Sequence, residues 1–264
     1  MDFLLAMSFD PAAARDYVQA LDVSGIPRNL VAQDAATDAG EVFDAAKSQA
    51  RVIGSSLLSF AQGVDAGVRE AISDSALLAQ LVANKHASAQ AAPLDWYAKY
   101  VEVLQNVGWV MQAGAWSDYT TQGTGAEVHE KIIEVLSVAL GPSAAAAAIV
   151  KSAIDALAAM KEGGSWFTIF SRESQHASIA RFQVGIVETG ANDDVFVSLL
   201  ACLIKANRDI TQVLFFKLRQ EQAAFSASSA KVSINRPSLV DLGPTIRKKV
   251  RAYQADYLSS ILDL

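Results

Sequence analysis

Hydrophobic positions in the first 160 residues recur at steps of three and four. The stripe that begins at Phe43 and ends at Val64 is one example, and this period places its members on one face of a helix. Pro93 suits the first turn of another helix. By the same reasoning the pattern predicts helices over 43–64, from 93 to about 108, over 128–140 and over 144–160, the last two as a hairpin.

Short apolar runs replace the helical pattern after Gly163 and Gly164. They are rich in Val, Ile, Phe and Thr and are separated by turn residues, which predicts strands at hairpin spacing. The run from Val195 to Ile204 does not alternate with polar residues, so helices should cover both faces of the sheet. Strands are expected over 166–170, 179–187, 195–204, 211–218 and 231–234, with an earlier one near 110–122.

A last helix closes the pattern, with apolar residues on one face at Ile246, Val250, Tyr253, Tyr257 and Ile261. The order of helices, strands and helix predicts an α/β (α+β) fold, a single layered domain over 1–264. A chain of 264 residues that is 52% apolar is long enough to bury one such core. Within it we expect an extra helical segment over 1–45, a mainly helical part over 46–160, a sheet over 165–236 and a C-terminal helix over 238–262.

Charge and targeting signals limit which partners and which cellular location are expected for this protein. The net charge of −6 would repel polyanions, so nucleic acid is not an expected partner. Asp2 stands where a secretory signal carries positive charge, and the apolar stretch from Val135 to Val150 is shorter than the roughly 20 residues of a spanning helix. We therefore expect a protein that is cytoplasmic in the producing cell, without a conventional signal peptide, and that either associates with a membrane or is released.

Motifs of catalysis and metal binding are incomplete. His129 and Glu130 begin a zinc helix motif, but Ile133 occupies the position of the second ligand. The segment 123–125 starts a dinucleotide loop without its third glycine, and neither a nucleophile elbow nor a Walker loop is present. We therefore expect neither an enzyme nor a metal site nor a catalytic cofactor.

Two features each admit two interpretations. Cys202 is the only cysteine and forms no internal disulfide, so it is either an inert buried thiol or a site of modification. The basic cluster is either a solvated helix face or a contact for anionic lipid head groups, worth about 1 kcal/mol per basic group. This basic cluster consists of Arg247, Lys248, Lys249 and Arg251.

Three stretches, taken in order, carry a resemblance. In the first, an aromatic-rich segment over 116–122 leads into a helix over 131–141 that ends in Leu-Gly. The second, Ser165 to Ser174, contains Trp-Phe-Thr-Ile-Phe, and the third, Gln212 to Phe216, reads Gln-Val-Leu-Phe-Phe. Together they resemble the Cyt-like superfamily of cytolytic toxins, that is, the Cyt δ-endotoxins and the fungal volvatoxins. In length and in its N-terminal start the chain is most similar to the related Erwinia virulence factor (Evf) group.

The resemblance implies a mostly antiparallel sheet between two layers of helices, in a family whose members act on membranes by swinging a helix hairpin away from the sheet. The Evf group implies a fatty acyl chain, palmitate, on a buried cysteine, and Cys202 is the position that matches. The basic cluster would then supply a second membrane signal. The apolar slot expected for the acyl chain is formed by Leu199, Leu200, Leu203, Phe215 and Phe216.

These expectations lead to one preferred function and two alternatives. The preferred function is a membrane-interacting, toxin-like bacterial virulence factor that carries the acyl chain on Cys202. The alternatives are a pore-forming cytolysin that needs no lipid, and a lipid-binding or scaffold module that never inserts. The expected partner in each lipid-dependent case is a membrane or a fatty acyl chain.

Overall fold

The structure is a computed structural model that describes residues 10–26, 42–87, 92–111, 114–119, 127–140, 144–160, 164–218 and 223–264. The described helices are α1 (Pro11–Ala20), α2 (Ala66–His86), α3 (Pro93–Asn106), α4 (Val128–Leu140), α5 (Ala144–Ala159), α6 (Ser165–Ser174), α7 (Arg236–Val250) and α8 (Gln254–Tyr257). The described strands are β1 (Gln49–Ile53), β2 (Ser56–Phe60), β3 (Trp109–Val110), β4 (Ser117–Tyr119), β5 (Gln175–His176), β6 (Ile179–Thr189), β7 (Val195–Ala206), β8 (Ala223–Ile234) and β9 (Leu262–Asp263).

The strands form one sheet in the order β3, β8, β7, β6, β2, β1, β9, with β4 also paired to β8 and β5 to β6. Among the described strands, the pair β2 and β6 runs parallel and the other pairs run antiparallel. The long strands β6, β7 and β8 lie at the centre; the sequence predicted an unbroken apolar strand over 195–204, within β7, and strands over 179–187 and 231–234, within β6 and β8. Most side chains of β6 and β7 are buried on both faces of the sheet, as the absence of alternation in 195–204 indicated, whereas β8 alternates between buried and more exposed positions.

Two separate hydrophobic clusters fill the two sides of the sheet. One cluster contains residues of α1, α2, α3 and α7 and is called the α2 layer below. The other contains residues of α4, α5 and α6 and is called the hairpin layer, after the α4–α5 pair. A mostly antiparallel sheet between two layers of helices is the predicted architecture, so the predicted fold class is confirmed.

Helix α2 is the most deeply buried helix among the described residues and lies between the sheet, α3 and α7. Its N-cap is Asp65, whose carboxylate accepts from the amides of Gly67 and Val68. Buried polar groups join the helix to its surroundings. Arg69 donates to four oxygens near the N-terminal end of the helix. Gln80 forms hydrogen bonds with Ile53 O, Ser55 and Ser56 in the β1–β2 hairpin. Asp74 accepts from Arg247 and Gln254.

The prediction of a helix over 43–64 is wrong, because that segment forms the β1–β2 hairpin. Gly54 has φ of +53° at the turn, a conformation that favours glycine, and five register pairs join the strand before the turn to the strand after it. Four of the five residues of β1 and all five of β2 are buried, so apolar residues are required on both faces. A strand pair covered on both sides can therefore show three-and-four spacing without being helical.

Two predicted strands are also wrong. Residues 166–170 lie in helix α6, where Trp166, Ile169 and Phe170 are buried on one face at helical spacing. Residues 213–215, within the predicted strand 211–218, form a 3₁₀ turn. In both segments aromatic and β-branched residues raised the strand propensity, and packing against the sheet decided the outcome instead.

The C-terminal segment is less helical than predicted. Helix α7 ends at Val250, the short α8 follows, and the chain finishes as strand β9 paired to β1. The early strand near 110–122 corresponds to β3 and β4, while 120–122 lie outside the described residues. The segment 123–125, most of 27–45 and the turn between α4 and α5 lie outside them as well.

Candidate functional site at the lone cysteine

Cys202 lies near the centre of the sheet, in β7. It is opposite Phe182 of β6 and Ala227 of β8 in the antiparallel register. Its side chain has no exposed surface and belongs to the cluster under the hairpin layer, as do Leu200 and Ile204 two residues to either side. The thiol therefore faces the α4–α5 hairpin and α6.

Burial determines the chemistry of this thiol. Loss of hydration raises the pKa of Cys202 well above its ordinary value, so the group is protonated at neutral pH. The thiolate is the nucleophilic form of cysteine, and here the burial that disfavours it also blocks access. Modification of Cys202 consequently requires the hairpin layer to move.

The main chain of Cys202 is held from the opposite side of the sheet. Tyr97 of α3 donates its hydroxyl proton toward two carbonyl oxygens, at 2.8 Å from Cys202 O and 2.9 Å from Phe182 O. Burial raises the pKa of Tyr97, which keeps the hydroxyl protonated and able to donate. The α2 layer thus fixes the strand while the thiol points toward the other layer.

The residues predicted to line an acyl slot are divided between the two sides of the sheet. Leu200 and Phe216 belong to the same cluster as Cys202. Leu199 packs in the cluster of the α2 layer, and Leu203 follows the same alternation, opposite Arg181. The side chain of Phe215 lies outside the described part of the chain. One slot formed by all five residues is therefore not present.

A small pocket lies in the hairpin layer, between α5, α6 and the 3₁₀ turn. It is lined by residues that include Leu157, Phe170 and Leu214, and its volume of about 250 Å³ includes space open to solvent. The ring of Phe170 contacts that of Phe182 at 5.8 Å between centroids. Cys202 is not among the residues that line this pocket.

The basic cluster lies on α7, in the α2 layer, on the other side of the sheet from the thiol. Arg247 Nε is 2.9 Å from Asp74 Oδ2, and Lys249 Nζ donates to Gln19 O at 2.7 Å. These two cations therefore stabilise contacts within the fold. Lys248 and Arg251 are exposed, so they are the members of the cluster that are accessible to an anionic surface.

Helix α6 is attached to the C-terminal segment by polar contacts. The indole nitrogen of Trp166 donates to Ser260 O at 3.0 Å, and Arg172 donates to Asp256 O at 2.5 Å and to Glu173 Oε1 at 2.6 Å. Burial raises the pKa of Glu173 and outweighs the opposing effects of Arg172 and Arg181. The ionised carboxylate is thus less favourable in the folded chain than in the unfolded one.

Replacement Glu173→Gln is expected to stabilise the protein at neutral pH. A carboxyl group with a raised folded pKa stabilises the fold below its unfolded pKa, ordinarily 4.5, and loses that contribution as the pH rises through the folded pKa. Glutamine stays neutral and still accepts from Arg172. Denaturant melts should show equal stability near pH 4 and a higher value for the variant at pH 8. A variant that is less stable than the wild type at pH 8 would contradict the expected direction of this effect.

The described ranges contain neither a cluster of metal ligands nor a helix suited to span a membrane. No group of three or more His, Cys, Asp or Glu side chains there could hold a metal ion. His129 belongs to the incomplete zinc motif, and its Nδ1 lies 3.2 Å from Leu214 O and 3.3 Å from Glu127 Oε2. The contact with Leu214 joins α4 to the 3₁₀ turn. Within the same ranges, none of the helices combines the length and the apolar character needed to cross a membrane.

Sequence reasoning did not identify the polar groups on the other face of β6. Arg181 and Gln183 are buried there at 2% and 0% exposure, beneath α2 and α3. The signal was present, because these are two polar residues at a period of two inside a strand predicted to be covered on both faces. Such positions indicate a buried polar network, not a solvated face.

No family model matches the chain, and no curated protein matches it. Among solved structures, one neighbour is a delta-endotoxin, with a TM-score of 0.40, 11% identity, and coverage of 68% of this chain and 79% of that one. Another is the Evf virulence factor, with a TM-score of 0.34, 12% identity, and coverage of 87% and 90%. Both are proteins of the groups that the sequence resembled.

Proposed function

We propose that this protein is a membrane-acting, toxin-like virulence factor without enzymatic activity, whose hairpin layer leaves the sheet at the membrane. We further propose that Cys202 carries a fatty acyl chain, palmitate, through a thioester. The observation that carries the proposal is the apolar contact between the α4–α5 hairpin and the sheet face that contains the sole cysteine. Neither a metal nor a catalytic cofactor takes part.

The two layers differ in what holds them to the sheet. Arg69 and Gln80 join the α2 layer to β1 and β2 through buried hydrogen bonds, which are costly to break without new partners. The buried side of α5 consists of Val150, Ile154 and similar apolar residues, packed on apolar strand positions. A membrane can replace apolar contacts but not buried hydrogen bonds, so the α4–α5 hairpin is the part best suited to leave, whereas α6 must also give up the polar contacts of Trp166 and Arg172.

An acyl chain on Cys202 would further favour the departure of the hairpin layer from the sheet. Each CH₂ group transferred from water to an apolar environment contributes about 0.8 kcal/mol, yet a single chain anchors a protein only marginally. Lys248 and Arg251 are exposed in the closed form and provide a first electrostatic contact with anionic lipid. Because Cys202 is fully buried and the pocket does not reach it, the hairpin layer of the acylated protein must lie farther from the sheet than it does here.

The acyl group is tested by the intact mass of the purified protein before and after hydroxylamine, which cleaves thioesters. We expect a surplus of about 238 Da, the mass that a palmitoyl group adds, lost on treatment and absent from Cys202→Ser. An unmodified mass would overturn the acyl part of the proposal. The membrane part is tested separately, since failure to bind or permeabilise anionic vesicles would overturn it whatever the mass.

A second candidate function is a lipid carrier that never inserts, and the complete burial of Cys202 favours it. In that case Cys202→Ser would lose the lipid, stay folded and bind vesicles no differently from the acylated protein. A cytolysin that needs no lipid would permeabilise vesicles with the unmodified mass. Vesicle leakage measured for both proteins separates these outcomes.

A further inference from the structure

The segment 254–264, called the strap below, follows α7 and passes around the β1 edge of the sheet. It contains α8 and β9, and β9 pairs with β1. On the side of the α2 layer, Gln254 Nε2 donates to Asp74 Oδ1 at 2.7 Å. On the side of the hairpin layer, two main-chain oxygens of the strap accept from Trp166 and Arg172 of α6. The strap therefore joins helices that lie on opposite faces of the sheet.

Between these two attachments the strap follows the main chain of β1. Ser259 N donates to Val52 O at 3.0 Å, and Val52 N donates to Ser259 Oγ at 2.9 Å. Gly54 N donates to Tyr257 O at 2.7 Å. An uncovered edge strand leaves such groups without partners in the sheet. The strap supplies these partners, and the same hydrogen bonds hold it against the edge.

Release of the strap is less costly than release of α2. The strap lies at the margin of the sheet and exposes Ser260 and Asp263 to solvent, so water can replace its lost partners as it moves away. The hydrogen bonds of Arg69 and Gln80 lie between α2 and the sheet, where a lost partner is not replaced. The strap is therefore suited to local opening, and α2 is not.

Helix α6 connects the strap to the cover of the thiol. The helix packs against β1, β2 and β6, and the ring of its Phe170 contacts that of Phe182, which is opposite Cys202. At the other end of α6, Trp166 is 1% exposed and its indole nitrogen donates to Ser260 O at 3.0 Å. Movement of α6 away from the sheet therefore requires either that its bonds to the strap break or that the strap moves with it.

We propose that the strap is a lock on the hairpin layer. While the strap lies on β1 it keeps α6 on the sheet, and Cys202 becomes accessible only after the strap is released. The lock rests on the proposed function, since the layer it holds is the one that leaves at the membrane. It adds the step that precedes this departure and the segment that controls it.

The test is the rate at which Cys202 of hydroxylamine-treated protein reacts with a small thiol reagent in solution, without lipid. The variant Ser259→Ala removes the acceptor of Val52 N and leaves in place the main-chain oxygens that bond α6. We expect Cys202 to react about tenfold faster in this variant, because a buried donor of the closed form is left unpaired. An unchanged rate would overturn the lock. The result does not depend on vesicle binding, so failure of the membrane function is a separate outcome.

The variant Ser75→Ala is the matched control. It removes a fully buried hydroxyl that accepts from Trp109 Nε1 at 3.0 Å, inside the α2 layer and away from the strap. We expect it to leave the reaction rate of Cys202 unchanged. An equal rise in both variants would mean that Cys202 reacts through unfolding of the whole chain, and the lock would then be wrong.

Hydrogen exchange of the wild-type chain gives an independent result that requires no variant. The amides of α6 should exchange no faster than those of the strap, and both should exchange faster than the amides of α2. Exchange of α6 while the strap stays protected would overturn the lock, and so would protection of α6 equal to that of α2.

Discussion

Replacement of Arg69 by methionine is expected to lower the free energy of unfolding by about 3 to 5 kcal/mol. The Arg69 side chain is fully buried at the N-terminal end of α2. Methionine fills a similar volume but donates no hydrogen bond, so four oxygens lose a charged donor in a place that water does not reach. These acceptors are Val64 O, Gln49 Oε1, Lys47 O and Ala61 O, at 2.8 to 3.0 Å.

Equilibrium denaturation in guanidinium chloride measures this effect as a shift of the midpoint at constant slope. Arg69→Lys should lie between the two proteins, because lysine keeps the charge but lacks the planar fork that reaches several acceptors. Lys248→Met removes an exposed cation from the same layer and should change stability by no more than about 0.5 kcal/mol. A loss below about 1 kcal/mol for Arg69→Met would show that the network does not fasten α2.

The sequence predicted the layers of the fold better than its individual elements. The unbroken apolar run of β7 required cover on both faces, and that single inference correctly predicted helices on both sides of the sheet. The same two-sided burial explains why the helix predicted over 43–64 is wrong, because apolar residues on both faces of a hairpin imitate a helical stripe. Hydrophobic spacing distinguishes helix from strand only where one side of the element meets water.

The candidate site, like the fold, could be predicted from the sequence only in part. That Cys202 lies in a buried strand could be predicted, but which layer its thiol faces could not, because one residue of register reverses the face. Grouping Leu199 with Leu200 as parts of one slot ignored this alternation, which places them in different layers. The hydrogen-bond partners of Arg181 and Gln183 come from α2 and from the β1–β2 hairpin, distant in sequence, so no local pattern could specify them.

Anionic vesicles are expected to increase the rate at which Cys202 reacts with a thiol reagent by on the order of 100-fold. Such a factor corresponds to a shift of about 2.7 kcal/mol toward the open form, supplied by lipid that binds that form more tightly. The cysteine is unique in the chain and fully buried, so labelling reports on this position without further mutation. The measurement uses hydroxylamine-treated protein, in which the thiol is free, with neutral vesicles for comparison.

A reactive thiol could also result from unfolding of the whole chain at the lipid surface, and a second protein separates the two causes. Ser73 of α2 is fully buried in the opposite layer, and its hydroxyl bonds only within the helix, to Arg69 O at 2.8 Å. In the variant Ser73→Cys with Cys202→Ser, the new thiol should stay unreactive with vesicles, because the hydrogen bonds of Arg69 and Gln80 keep that layer on the sheet. Reaction at both positions would mean general unfolding, and reaction at neither would mean that the hairpin layer stays closed. Reaction at Cys202 alone would identify the α4–α5 hairpin and α6 as the part that moves. The sheet and the α2 layer would then stay folded together, and the sheet face that the hairpin layer had covered would contact the membrane.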